Sequence, residues 1–215
     1  MIKIIPILDK SVHYYVGVSM GVDSLAAFFY LRDRGYNVTP IHFNHRLRSQ
    51  NDLMFVKFGE LCHSNGWEYM AGNAQSSLKT EAECRAARLE FFSKFRSLII
   101  TAHHLDDTVE SYLLNCFRGH PERKPFSLIT DFGDFKIIHP FLLTEKKDFR
   151  QFLIKMNLMD WVVEDETNSI IKGSRRNWIR NKIIPEMESQ KLSLKKYCKR
   201  AILAQIEERF NLHEG

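Results

Sequence analysis

Short runs of β-branched and aromatic residues alternate along the chain with longer stretches whose apolar positions recur at helical spacing. His13-Tyr-Tyr-Val-Gly-Val18 predicts a buried strand. Val22 to Arg34, with Leu25, Ala26, Phe28, Phe29 and Leu31 on one face, predicts a helix closed by Gly35. Val38 to Phe43 predicts a second strand and Asp52 to His63 a second helix. Trp67 to Ala71, Glu81 to Phe95, Ser97 to Thr101 and Asp106 to Phe117 continue the alternation as strand, helix, strand and helix. The pattern then loosens into a loop at 121–135, followed by a short strand at 136–139. Helices dominate the rest, at 145–157, 174–188 and 191–210.

Strands alternating with helices of this length specify an α/β fold, a doubly wound and mostly parallel sheet with helices on both faces. A helical extension follows from residue 141 to residue 215. Ligands of such sheets bind beyond the carboxyl ends of the strands. The turns at 19–24, 42–48, 72–80 and 102–107 are therefore the segments to read for chemistry.

The first of these, Ser19-Met20-Gly21-Val22-Asp23-Ser24, offers two hydroxyls, a glycine and successive backbone amides at a helix start. Such a turn can cradle phosphate, and the same residues also suit an ordinary helix cap. No Gly-Lys-Ser/Thr follows, which excludes a Walker A loop. The last of them, Thr101-Ala-His103-His104-Leu-Asp106-Asp107-Thr-Val-Glu110, crowds three carboxylates and two imidazoles at a strand end. Asp107 and Glu110, three apart, share a helix face. Carboxylates that meet substrate phosphates suit Mg²⁺, whereas two histidines without a third soft ligand make a poor zinc site.

Composition narrows the class. Of 215 residues 44% are hydrophobic and 27% charged, which excludes collagen-like, disordered and disulfide-scaffold proteins. No apolar run approaches the roughly 20 residues of a membrane span, and the apolar start is too short for a signal peptide. A soluble, cytoplasmic protein is the expectation. The four cysteines never fall as Cys-x-x-Cys, so free thiols are expected rather than a zinc ribbon or a cysteine-held cluster. The net charge of +5 lies entirely in residues 166–215, with 11 Lys/Arg against 6 Asp/Glu; residues 1–165 hold 20 of each. That basic quarter suits a polyanion such as RNA, or a solvated helix face.

The two turns together resemble those of the N-type ATP pyrophosphatase (PP-loop) superfamily, and more closely the tRNA(Ile)-lysidine synthase family. Ser19 to Ser24 fits that family's Ser-Gly-Gly-x-Asp-Ser loop except at Met20. Its remaining motifs are similar to His42-Phe-Asn44-His45-Arg-Leu47-Arg48, Glu81 to Arg88, His103 to Gly119, and Asp165-Glu-Thr167-Asn168 followed by Arg176-Asn177-Trp-Ile179-Arg180 and Pro185. Five motifs in order across 19–185 make the resemblance specific.

The resemblance implies a nucleotide-binding catalytic unit at 1–140 and a basic extension at 141–215 that packs on it and contacts RNA. It implies ATP and Mg²⁺ as cofactors, with L-lysine and an isoleucine tRNA carrying a CAU anticodon as partners. ATP would adenylate the C2 oxygen of the wobble cytidine, and the lysine amine would then displace AMP. By the same resemblance ATP is bound by Ser19, Met20, Gly21, Val22, Asp23, Ser24, His42, Asn44, His45, Arg88 and His103. Asp23 and Asp107 would hold the metal, Asp107 and Glu110 the lysine, and Asp23, Asp107, Glu110, Arg176 and Arg180 would be catalytic. Trp178 interrupts a basic motif and can either pack in the core, the favoured reading, or stack on a base.

Three features depart from the family pattern: Met20 in the loop, His120-Pro-Glu-Arg-Lys-Pro-Phe126 in place of a glycine-rich stretch, and an end at Gly215. They imply a minimal form without the family's C-terminal domains. They also keep two alternatives open, a PP-loop enzyme with another acceptor and a silent nucleotide- or RNA-binding relative. The oligomeric state is open too, with a homodimer among the options.

Overall fold

A computed structural model of the chain describes residues 1–75, 78–163 and 174–211. Six strands form one sheet in the order β3-β2-β1-β4-β6-β5. They are β1 His13–Gly17, β2 Asn37–Asn44, β3 Met70–Asn73, β4 Leu98–Ile100, β5 Ile129–Asp131 and β6 Lys136–Ile138. The first five in spatial order run parallel, and β5 pairs antiparallel with β6 at the edge. The doubly wound, mostly parallel α/β sheet read from the sequence is the one observed.

The period of two divides the sheet residues between its faces. Tyr14, Val16, Ile100 and Ile138 point into the main core with Leu25, Phe28 and Leu31 of α1 (Val22–Asp33), Met54, Phe58 and Leu61 of α2 (Ser49–Ser64), and Phe149 and Leu153 of α5 (Lys146–Lys155). On the other face Ile41, Ile99 and Ile137 pack against Phe91 and Phe92 of α3 (Glu81–Ser93). Gly72 permits that packing, since a Cβ there would stand 2.6 Å from the Phe91 ring. α4 (Leu105–Phe117) carries Leu105, Val109 and Leu113 against Cys198 and Ile202 of α8 (Lys195–Asn211).

Three sequence expectations need correction. The 121–135 loop contains β5, whose hairpin turn is held by Phe132 N–H to Phe135 carbonyl at 3.0 Å, with Gly133 at φ +84°. Three residues are too few for a period of two to register. The third strand begins at Met70 rather than Trp67; Trp67 instead stacks edge-on against Phe28 and Phe29, with the Arg32 guanidinium 4.4 Å from its ring centre. The helix expected over 174–188 is interrupted. α6 (Arg175–Trp178) passes into a π-helical turn, Ile179–Ile183, before α7 (Ile184–Ser189). Pro185 has no N–H for the Asn181 carbonyl, and its ring would clash there in an α register, so a wider turn absorbs the mismatch.

Two of the five cations of α8 are used internally. Lys195 Nζ stands 3.1 Å from Asp106 and 3.2 Å from Glu145, and Lys199 Nζ is 3.1 Å from Glu145. Burial alone would raise the Glu145 pKa, but Lys199, Lys147 and Lys195 together push it down to about 2. No helix among the described residues is long and apolar enough to cross a membrane.

Candidate active site

The strand order reverses beside β1. The chain leaves β1 through α1 to reach β2 on one side, and returns from β3 through α3 to β4 on the other. At such a switch point the turns leaving two neighbouring strands diverge to opposite sides of the sheet and open a crevice at the carboxyl ends. A cavity of about 290 Å³ lies there, lined by Ser19, Gly21, Asp23 and Ser24 after β1 and by Thr101, His103 and Asp107 after β4. His42, Phe43 and His45 at the end of β2, Arg88 of α3 and Arg176 of α6 complete much of its wall.

The first loop is held by Ser24. Its Oγ accepts the Ser19 amide at 3.0 Å, meets Ser19 Oγ at 3.0 Å and donates to the Gly21 carbonyl at 3.1 Å. The left-handed residue is Met20, at φ +63°, and Gly21 at φ −77° caps α1. The Met20 side chain is wholly buried in the main core, and its carbonyl accepts the Val163 amide at 2.9 Å. Neither it nor Val22, which packs against the same core, lines the cavity with its side chain. The Met20 departure therefore leaves the mouth of the loop clear.

His104, 2% exposed, joins the two turns. Its Nε2 lies 3.4 Å from Asp23 Oδ2 and 3.6 Å from Asp107 Oδ2, and its Nδ1 lies 3.7 Å from Asp106 Oδ2. Burial opposes charge on the ring, but Asp107, Asp23 and Asp106 outweigh it and raise its pKa. With both carboxylates against one nitrogen, the Asp23 and Asp107 oxygens are at most about 7 Å apart. Asp23 Oδ1 is buried and without a hydrogen-bond partner among the described residues. An orphaned anionic oxygen beside a second carboxylate fits a divalent cation that takes its remaining ligands from phosphate and water.

The rest of the polar lining is cationic and imidazole-rich. Arg88 is half-buried and forms no ion pair among the described residues; burial and neighbouring Arg85 lower its pKa. Arg176 donates to Ser111 Oγ at 2.9 Å. Burial, then Arg88 and His42, hold His45 down at about 4, and its Nδ1 is buried without a partner among the described residues. Burial and the nearby Arg88 and Arg176 put His103 at about 3. His42 donates from Nδ1 to the Val18 carbonyl at 2.6 Å and stacks on Phe58, so its Nε2 is an acceptor; burial lowers its pKa. Neutral imidazoles, and guanidiniums without an ion pair among the described residues, suit this part of the lining to anionic oxygen.

Not every residue singled out from the sequence reaches the cavity. Asn44 accepts the Arg46 amide and donates to Asp52, both at 2.8 Å, and so holds the turn after β2. Glu110, 2% exposed, is engaged by Arg180 through a two-pronged pair at 2.6 and 2.9 Å; Arg180 also lies 3.8 Å from Asp107. Burial raises the Glu110 pKa against the pull of Arg180. The Asp165-Glu166-Thr167-Asn168 motif lies outside the described residues. Sequence reasoning missed His139, whose Nδ1 is 2.8 Å from Thr101 Oγ1 and 3.2 Å from His103 Nδ1, and which burial and His103 push down to about 3. It also missed the apolar wall of Ile41, Met54 and Phe92. These residues read as core in a strand or helix pattern, and only the tertiary fold brings them to the crevice.

Fold and turns define the class: the chain belongs to the PP-loop domain family, whose model matches residues 3–187. It is similar to the tRNA(Ile)-lysidine synthase of Staphylococcus aureus (strain MRSA252), at 30% identity over 203 residues, covering 82% of this chain and 44% of that protein. The tRNA(Ile)-lysidine synthase of Aster yellows witches'-broom phytoplasma (strain AYWB) is 30% identical over 198 residues, covering 88% of this chain and 44% of that one. The chain thus spans less than half the length of these curated relatives. Among solved structures, the U34-tRNA thiolase NcsA from Methanococcus maripaludis with its 4Fe-4S cluster superposes with a TM-score of 0.73. That match covers 94% of this chain and 74% of the other at 16% identity, a likeness of fold.

Two outcomes follow from this geometry. A left-handed backbone costs an L-residue about 1–2 kcal/mol, while removing a fully buried side chain costs about 2–5 kcal/mol. Met20→Gly is therefore expected to destabilise the chain by about 1–3 kcal/mol in urea unfolding; stabilisation would show that backbone strain dominates. His45, His103 and His139 have folded pKa values of about 4, about 3 and about 3, below the ordinary 6.5, so the unfolded chain binds more protons in acid. The share of stability contributed by these three imidazoles should be full above pH 6.5 and be lost as pH drops toward about 4 for His45 and about 3 for His103 and His139, while His104, whose pKa is raised, contributes in the opposite sense and loses its share as pH rises. The fall should be shallower in His139→Gln, read from thermal midpoints across the pH series; an unchanged slope would contradict the burial of a neutral imidazole there.

Proposed function

We propose that this chain is an ATP-dependent tRNA-modifying ligase of the lysidine-forming kind. One observation carries the reading: a single cavity is lined by Arg88 and Arg176, by the carboxylates Asp23 and Asp107, and by Ser19, Gly21 and Ser24 of the first loop. A nucleoside triphosphate meeting a divalent cation needs that combination, and the similarity to tRNA(Ile)-lysidine synthases supports the choice of acceptor.

In this reading the amides and hydroxyls of Ser19, Gly21 and Ser24 bind the departing pyrophosphate, and Arg88 and Arg176 neutralise the remaining phosphate oxygens. His42, His45 and His103 receive the nucleoside through neutral imidazoles. Asp23 and Asp107 would hold Mg²⁺, which supplies charge neutralisation as pyrophosphate leaves. The C2 oxygen of the cytidine attacks the α-phosphorus, and the lysine ε-amine then attacks C2 as AMP leaves with that oxygen. Asp107 orients the lysine ammonium directly. Glu110 acts through Arg180, which it holds beside Asp107. The 141–215 extension is the RNA-facing unit of this account; α5 against α1 and α8 against α4 support its packing on the 1–140 unit.

A sulfur-transferring chemistry like that named for the thiolase is the less supported reading. Cys62 lies in the main core and Cys198 between α4 and α8, and burial raises their thiols to about 12 and about 11. The test is turnover of ATP by the purified chain with Mg²⁺. AMP release should require both an isoleucine tRNA with a CAU anticodon and lysine. Asp23→Ala and Asp107→Ala should each lower it by at least about 100-fold with the fold intact by circular dichroism. Full turnover in either variant would remove the assigned roles, and AMP release driven by a small molecule without tRNA would replace the acceptor.

A further inference from the structure

The sequence pattern favours Trp178 as a core residue, but its side chain is 41% exposed. It lies against Phe117, at the C-terminal end of α4, with ring centres 5.8 Å apart and planes inclined by 50°. Phe117 is itself 58% exposed. Two large aromatic rings thus meet on the surface.

The two stretches of chain that carry these rings bear charge of one sign. Residues 114–120 and 174–182 contain five Lys/Arg and no Asp or Glu. Arg176 and Arg180 turn inward to Ser111 and Glu110. Arg118, Arg175 and Lys182 are exposed and form no ion pair among the described residues. Arg175 is three before Trp178 and Lys182 four after it, so both share its side of the helical segment. A hydrophobic protein contact would be poorly served by this rim. Aromatic faces beside unpaired cations complement a nucleic-acid strand, whose bases stack and whose phosphates need neutralising.

We propose that Phe117 and Trp178 form a stacking platform for an unpaired RNA base, with Arg118, Arg175 and Lys182 receiving the adjoining phosphates. Phe117 lies ten residues beyond Asp107 on α4, about 15 Å along the helix axis. The platform therefore takes a nucleotide flanking the reacting cytidine and not the cytidine itself. In its setting the inference rests on the proposed tRNA reading, yet its test separates the two.

The probe is a 12-nucleotide oligoribocytidine with a fluorescent end label, titrated with the full chain in fluorescence anisotropy. Trp178→Ala should weaken binding about tenfold, and Trp178→Phe should restore most of it. Removing Arg118, Arg175 and Lys182 together should flatten the dependence of log Kd on log salt by about 0.7 per lost phosphate contact. Trp178 is not part of the cavity lining, so Trp178→Ala is also expected to leave the affinity for ATP alone unchanged. Binding that is equal in wild type and Trp178→Ala, or no binding by the wild type, overturns the platform. So does a concentration-dependent dimer that Trp178→Ala dissolves, which would make the pair a contact between copies. If the platform variants behave as expected but tRNA never promotes AMP release, the stacking site stands and the ligase reading falls. If tRNA-dependent AMP release persists undiminished in Trp178→Ala with RNA binding unchanged, the platform alone falls.

Discussion

The site depends on one buried imidazole. Asp23 lies in the first turn of α1 and Asp106 and Asp107 in the first turn of α4, helices that follow neighbouring strands, and like charges so close would repel without compensation. His104 stands among all three, is almost wholly buried, and has its pKa raised by them. It also belongs to the chain that starts α4, where the Asp107 carboxylate accepts the His104 amide at 3.1 Å. One residue thus ties the charge balance of the site to the start of the helix that carries Asp107, Glu110 and Ser111. The Ser19–Ser24 loop then faces a fixed pair of carboxylates, and Asp23 Oδ1 is left with no partner among the described residues.

Much of this was legible before the structure. The strand–helix alternation named the fold, and the rule that ligands lie at carboxyl strand ends pointed to turns that line the cavity. Ser19, Asp23, His42, His45, Arg88, His103, Asp107 and Arg176 all meet at one cavity. What local pattern could not show was pairing. Nothing in the spacing of Glu110 reveals that Arg180, seventy residues later, occupies it. Asn44 reads as a strand-end ligand and proves to be a turn-former. His139 directly follows the apolar strand β6 and looks like core until β6 is laid beside β4, where its ring meets Thr101 and His103. Met20 looked like damage to the loop; its side chain simply takes the other exit, into the core.

The C-terminal quarter divides in a way that net charge conceals. Lys195 and Lys199 neutralise Asp106 and Glu145, so α8 buttresses the carboxylate cluster from behind rather than offering all of its charge to a partner. The segment Arg175–Ile183 is different. Across α6 and the wider turn that follows it, Arg176 and Arg180 turn inward to α4, and Arg175, Trp178 and Lys182 are left outside. A basic stretch therefore serves two ends: inner guanidiniums set the site, and outer cations face solvent beside an exposed aromatic pair.

We propose that this crevice joins lysine to a tRNA cytidine at the expense of ATP. The most direct measurement is mass spectrometry of nucleosides from an unmodified isoleucine tRNA with a CAU anticodon, after incubation with the chain, ATP, Mg²⁺ and isotopically labelled lysine. The account predicts a labelled cytidine–lysine adduct that disappears when ATP or lysine is withheld. An unmodified anticodon, recovered while the same chain still cleaves ATP to AMP, would contradict it.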